Sequence, residues 1–276
     1  MAEESFTAGR MRIVCAPEAY RVMERERVAF QALYPRAAIE SGAAASRGAI
    51  GDLFAARADL AVVTRELEPA EREAAVRGGL ELGVYVFARD AGVVVVHPEN
   101  PVENLGLDDL RRIYLGHTGR WSDVGGDDAP VEPVIQSPDS DIYEYMMQKV
   151  MGGQAVVARS IRAASDSEVV ERVARNRRAI GYVTLGSVTG AVRPLRLATL
   201  GGLPYWKPDL EAVYRGEYPL TRYFYLCARD RGPRLVNGFI TFVTSEDGQR
   251  IVHDIGLVPT TVPVRFVRRA PLLGTH

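Results

Sequence analysis

A chain of 276 residues, 47% hydrophobic and 25% charged, has enough apolar material for one large domain or for two lobes of about 130 residues each. Its formal net charge of −1 excludes a global electrostatic pull toward nucleic acid or anionic lipid, so any charge effect must be local. No apolar run approaches the ~18 residues of a membrane-spanning helix, and the acidic segment MAEESFTAGR lacks the apolar centre of a signal peptide.

Met11 to Ala16 (MRIVCA) predicts a buried strand, and Pro17 and Glu18 open a helix reaching about Tyr34, with Val22, Val28, Phe30 and Leu33 apolar. A short strand, AAIES, leads through GAAASRG into a helix ending near Ala58, followed by the strand LAVVT at Leu60 to Thr64. Strand, helix, strand implies parallel pairing. Glu66 to Gly79 predicts a polar helix, and Leu80 to His97 predicts two strands, LGVYVFA and GVVVVH. After a break at Asn100-Pro101 come a short helix over Gly106 to Tyr114 and a turn-rich loop, with Trp121 anchoring core or loop.

In Val134 to Met147 (VIQSPDSDIYEYMM) a strand breaks into a polar turn that opens a helix. Ser137, Asp139 and Ser140 are competent caps, and Glu144 stands where a capping-box acid would follow Ser140 or Asp141. The free N–H groups of a helix start suit an anion, the plain alternative being an ordinary capped helix. Further on, Ser165 to Ser167 opens another helix, Ala179 to Val183 and Leu195 to Leu200 predict strands, and Thr221 to Arg229 a longer one. A helical pair spans Leu235 to His253, and Leu257 to Arg269 predicts an extended tail. The βα alternation argues for an α/β architecture throughout.

The cysteines, Cys15 and Cys227, sit in apolar strand-like runs and predict core thiols rather than a disulfide. His97, His117, His253 and His276 are scattered without metal spacing, and no P-loop, G-x-S-x-G, H-E-x-x-H or dinucleotide glycine fingerprint occurs. No metal, cofactor or catalytic residue is therefore expected, and an enzymatic role has no motif in its favour.

Four blocks carry a resemblance: VVVVHPENPVENLGLDDLRRIYLGHTGRWSDVGG at Val93 to Gly126, SEVVERVARNRRAIGYVTLGSV at Ser167 to Val188, EYPLTRYFYLCARD at Glu217 to Asp230, and SEDGQRIVHDIGLVP at Ser245 to Pro259. In order and spacing they resemble the phosphate-binding proteins of bacterial ABC importers, a branch of the type II periplasmic-binding-protein fold. The resemblance implies a two-lobed α/β fold with two crossover strands, one lobe comprising residues 11–89 plus 222–276 and the other 90–221. It also implies a ligand held in the interlobe cleft by jaw closure, a monomer, and an ABC permease as partner. An extracytoplasmic place, periplasmic or at the cell surface, is expected if a signal was removed, and a cytoplasmic one if Met1 is the native start.

Members of that family grip phosphate with a hydroxyl-rich turn after the first strand, a Ser-Gly pair after the second, an Asp or Ser after the third, and an Arg-Asp-x-Gly-Ser-Gly-Thr helix start in the second lobe. Here the first turn is Ala16-Pro17-Glu18-Ala19, the second Ser46-Arg47-Gly48 and the third Thr64-Arg65. The fourth is Gln136-Ser137-Pro138-Asp139-Ser140-Asp141-Ile142, with Tyr143 beside it. The resemblance thus assigns ligand binding to Pro17, Glu18, Ser46, Arg47, Thr64, Arg65, Gln136, Ser137, Asp139, Ser140, Asp141 and Tyr143. Tyr145, Tyr182 and Trp206 are further aromatic residues for cleft or core.

Phosphate is disfavoured by the loss of an arginine, the bidentate partner, at Gln136 and by the carboxylates gained at Glu18, Asp139 and Asp141. The expected ligand is a small anion or polar metabolite other than phosphate. The alternatives are recruitment of the fold as an intracellular enzyme or accessory protein, for example in a biosynthetic pathway, and a sensory or scaffold role.

Overall fold

The computed structural model describes residues 5–199 and 204–260. In chain order the elements are β1 Gly9–Cys15, α1 Pro17–Leu33, β2 Ala37–Ala43, α2 Ser46–Phe54, β3 Leu60–Val63, α3 Pro69–Arg77 and β4 Leu82–Val96. Then follow β5 Asn104–Gly106, α4 Leu107–Leu115, β6 Glu132–Gln136, α5 Asp141–Lys149, β7 Ile161–Ala163, α6 Asp166–Ala174 and β8 Ala179–Thr184. The last are β9 Arg193–Pro194, β10 Arg196–Ala198, α7 Leu210–Arg215, β11 Thr221–Arg229, α8 Arg234–Val243, α9 Glu246–Asp254 and β12 Val258–Pro259. The tail expected beyond Thr260, and His276 with it, lies outside the described residues.

The main sheet runs β2-β1-β3-β11-β4-β8-β6-β7. β1 pairs in parallel with β2 and β3, while β11 is antiparallel to both β3 and β4. On the other side β4 is antiparallel to β8, and β6 is parallel to β8 and β7. One hydrophobic core gathers Phe30, Phe87, Phe224 and Phe239, with a small satellite around Leu53 and Val63; a separate core gathers Val93 to Val96, Tyr114, Trp121 and Tyr182. These are the two lobes of the expected α/β fold, and β4 and β11 run between them.

Leu80 to His97 therefore holds one 15-residue strand, Leu82–Val96, rather than two. Asp90 reads as an interruption in sequence, yet in the ladder it stands directly opposite Arg222, so its charge is paired in place and no turn is needed. A register shift lies between Phe224 and Tyr225, and the carbonyl of Phe87, which has no partner of its own in that pairing, accepts from Gln249 Nε2 at 2.9 Å. In α1, Val28 and Leu33 are exposed, because the helical period places Ala19, Val22, Met23, Glu26 and Phe30 on the buried face. Trp121 is in the core, as expected of an anchor, its Nε1 donating to the carbonyl of Arg178 at 3.0 Å.

Glu26 is fully buried on α1, and neither carboxyl oxygen has a hydrogen-bond partner among the described residues. Burial pushes its carboxyl up to about 9. Above the ordinary value of 4.5 the unfolded chain releases this proton while the folded chain keeps it, so stability is fullest below 4.5 and falls as pH rises, levelling off above about 9. Glu26→Met is expected to raise the melting temperature at pH 8 by about 5 °C, roughly 2 kcal/mol, with the gap shrinking toward pH 5. Thermal melts at the two pH values check this; an equal gap at both would contradict it.

Candidate functional site

The carboxyl end of β3 and the starts of α1, α2 and α5 meet between the two cores. Ser46 opens α2 and is fully buried; its Oγ donates to Asp141 Oδ2 at 2.7 Å and accepts from the backbone N of Thr64 at 3.3 Å. Thr64 Oγ1 donates to the same Oδ2 at 2.6 Å. Asp141 is the first residue of α5 and is buried, although it lies 95 positions from Ser46. Glu18, in the first turn of α1, reaches across so that its Oε1 accepts from the backbone N of Ile142 at 3.1 Å. Hydroxyl pairs and free helix N–H groups are anion-binding elements. Here the anions they hold are carboxylates of the chain itself.

Behind Glu18 lies a buried ion cluster. The Arg222 side chain is only 1% exposed; its Nη2 is 2.5 Å from Glu18 Oε2 and 2.7 Å from Asp90 Oδ2, which also accepts from Nε at 3.0 Å. Asp90 Oδ1 accepts from the backbone N of Leu185 at 3.1 Å. Burial pushes the Glu18 carboxyl above the ordinary range against the pull of Arg222, and the neighbouring Asp141 adds to the rise. For Arg222, burial opposes the charge, but Glu18 and Asp90 outweigh it and hold the guanidinium above its usual value.

A third cluster adjoins this one. Gln136 is buried with its amide donating to Asp166 Oδ1, while Asp166 Oδ2 accepts from Thr184 through its backbone N at 3.0 Å and its Oγ1 at 2.5 Å. Thr184 Oγ1 and Ser187 Oγ are 2.9 Å apart. A cavity of about 260 Å³ opens between these clusters, walled by both lobes.

Glu18, Ser46, Thr64 and Asp141 are thus brought into one network, while other candidates lie apart from it. Arg65 forms a two-pronged pair with Glu71 at 2.9 Å, and its Nε is 3.8 Å from Glu144 Oε2 of the opposite lobe. Arg47 is exposed, with Glu68 at 3.4 Å. Pro17 and Asp139 are exposed. Ser140, whose Oγ donates to the carbonyl of Ser137 at 2.8 Å, caps α5 by accepting from the backbone N of Tyr143 at 3.3 Å. Tyr143, Tyr145 and Trp206 are half-buried and pack on the core that contains Tyr182.

At the start of α2, Ala45 holds the cap position and the Ser46 hydroxyl turns to Asp141. One local expectation needs correction. Glu144 closes no capping box on α5; its carboxylate reaches toward Arg65.

The PBP superfamily domain model matches residues 2–247. The chain belongs to the PBP superfamily. Among relatives of this superfamily member, the phosphate-binding protein PstS of Pseudomonas aeruginosa is 25% identical over 259 residues, covering 87% of this chain and 79% of that protein. PstS of Bacillus subtilis is 28% identical over 167 residues, covering 60% of this chain and 54% of the relative. In structure it is similar to an ABC-type phosphate transport receptor from Vibrio cholerae, with a TM-score of 0.80, 23% identity, and coverage of 90% of this chain and 99% of that one. It is also similar to a substrate-binding protein with bound phosphate from Clostridium perfringens, with a TM-score of 0.75, 24% identity, and coverage of 92% and 100%. These two likenesses establish the two-lobed fold. No helix among the described residues is long and apolar enough to cross a membrane.

Asp90, Arg222, Asp166, Thr184 and Ser187 are the polar residues of this junction that local motifs miss. The partnership of Asp90 with Arg222 spans 132 positions and that of Asp166 with Thr184 spans 18, while Ser187 lies three positions from Thr184. For Asp90 and Arg222 the sequence signal is charge inside strands otherwise built of apolar residues.

Proposed function

We propose that this chain is the substrate-binding component of an ABC importer of the phosphate-receptor type, working outside the cytoplasm and delivering its ligand to a permease. Its lobes, residues 11–89 plus 222–276 and residues 90–221, close on a small anion or polar metabolite other than phosphate. The relatives named for phosphate support the first part, and the separate cores on either side of β4 and β11 support the division into lobes. The observation that carries the choice of ligand is the Asp141 carboxylate, bonded to both Ser46 and Thr64. A phosphate dianion seeking the same hydroxyls meets a carboxylate already seated there, with Glu18 on the adjoining helix N–H.

Calorimetric titration of the purified chain against phosphate, sulfate, molybdate, phosphonates and carboxylates tests this. Phosphate is expected to bind no more tightly than about 1 mM, corresponding to roughly 4 kcal/mol, while a different polar solute gives saturable heat and a raised melting temperature. Micromolar phosphate binding would overturn the proposal.

A further inference from the structure

We infer that in the absence of solute the chain rests closed, latched by its own Asp141, which acts as a tethered ligand on the hydroxyls of Ser46 and Thr64. A solute then gains the junction only from a minor open form, and the carboxylate seated there sets how often the lobes part. The inference concerns the resting conformation and goes beyond the choice of solute proposed above.

Three ties cross from one side of the junction to the other. Ser46 and Thr64 adjoin Ala49 and Val63 of the small satellite core, whereas Asp141 begins the helix that packs Ile142 and Met146 into the Trp121 core. The Asp141 Oδ2 accepts from both hydroxyls, at 2.7 Å and 2.6 Å, and all three side chains are buried. Glu18 supplies the second tie: its Oε1 accepts from the backbone N of Ile142 at 3.1 Å, while its Oε2 is held 2.5 Å from Arg222 Nη2. The third is Arg65, 3.6 Å from Glu68 on its own side and 3.8 Å from Glu144 of α5, so one cation stands between carboxylates of both lobes that would otherwise repel.

Each part of the latch is prepared before the lobes meet. The backbone N of Thr64 donates to Ser46 Oγ at 3.3 Å, so the two hydroxyls converge on one point. Asp141 presents its charge from the first residue of a helix, where the helix dipole favours a carboxylate. Being part of the chain, it meets the hydroxyls at an effective concentration on the order of millimolar, whereas a free anion gives up translational freedom for the same contacts. Hydrogen bonds to an ionised acceptor are also stronger than neutral ones. A solute that needs the open form has its apparent affinity lowered by the open fraction, so a latch that leaves about a tenth of the chains open weakens binding about tenfold.

The test places spin labels at Glu73→Cys on α3 and Gln148→Cys on α5, exposed positions on opposite sides of the junction; the native Cys15 and Cys227 are buried. Distances are measured by double electron–electron resonance on the full chain without solute. Three backgrounds are compared: the otherwise unaltered chain, Asp141→Ala, and Ser46→Ala combined with Thr64→Val, which breaks the same bonds from the other lobe. The unaltered chain is expected to give one short distance, with about a tenth of the molecules or fewer open, and each latch variant a longer distance in at least about half. A predominantly open unaltered chain overturns the inference, and so does an unchanged distance distribution in either variant that still melts cooperatively. The distance in the unaltered chain decides the resting state even where a variant fails to fold. Phosphate titration is a separate measurement, so an open resting chain leaves the proposed exclusion of phosphate standing.

Discussion

Asp141→Gly is expected to raise the affinity for inorganic phosphate about a hundredfold, corresponding to ~2.8 kcal/mol. The substitution frees the Ser46 and Thr64 hydroxyls, which now spend 2.7 Å and 2.6 Å bonds on Asp141. Hydrogen bonds to a charged acceptor contribute ~1.5–3 kcal/mol each, and a close like-charge pair near a protein surface costs up to ~4 kcal/mol. Glycine also stands at this position in the helix start of the phosphate-binding proteins that the sequence resembles. Glu18 still holds the N–H of Ile142 in the variant, which limits the gain. Asp141→Asn, which removes the charge but keeps the bulk, should fall between the two. Phosphate titrations of the three proteins measure the effect, and equal phosphate affinity in wild type and Asp141→Gly would mean that the carboxylate is not what excludes the dianion.

Arg222→Met is expected to destabilise the fold by about 3–5 kcal/mol, the usual cost of stranding a buried charge, and to lower the melting temperature by about 10 °C. The arginine serves two carboxylates at once, Asp90 on the adjacent strand and Glu18 on α1, so its loss leaves both without their cation. Desolvation rather than lost packing makes up most of this cost. Arg222→Met combined with Asp90→Leu is therefore expected to recover part of the loss, since apolar replacement of a buried pair is often neutral. Thermal melts of single and double variants decide it; a double variant less stable than Arg222→Met would show that Asp90 stabilises the structure through Leu185 rather than through the ion pair.

Periodicity and turn chemistry suffice for most of the elements. Pro17 at a helix start, Ser140 and Ser165 as caps, and the apolar runs of β1, β3 and β8 each announce themselves within a few residues. What local patterns miss is whatever depends on register between distant strands. Asp90 looks like a break because Arg222, which neutralises it, comes 132 positions later. Nothing near Ser46 shows that Asp141 will arrive from the other lobe to take its hydroxyl. The resemblance to a known family located the turns that form the junction, but it could not foretell that Gln136 would be tied to Asp166 or that Arg65 would turn to Glu71.

The place of β11 in the sheet also governs how the polypeptide can mature. β3 ends at Val63 and β4 begins at Leu82, yet the strand between them, β11, does not start until Thr221. On the ribosome, the first-made strands therefore wait with an unfilled gap while the contiguous segment carrying the Trp121 core lacks only Val258 of its buried residues. Their open edges are apolar and made of backbone seeking a partner, the condition under which chains aggregate. A nascent chain stopped just before Thr221 should thus be the species most dependent on chaperones, and the emergence of β11 the step that joins β3 to β4.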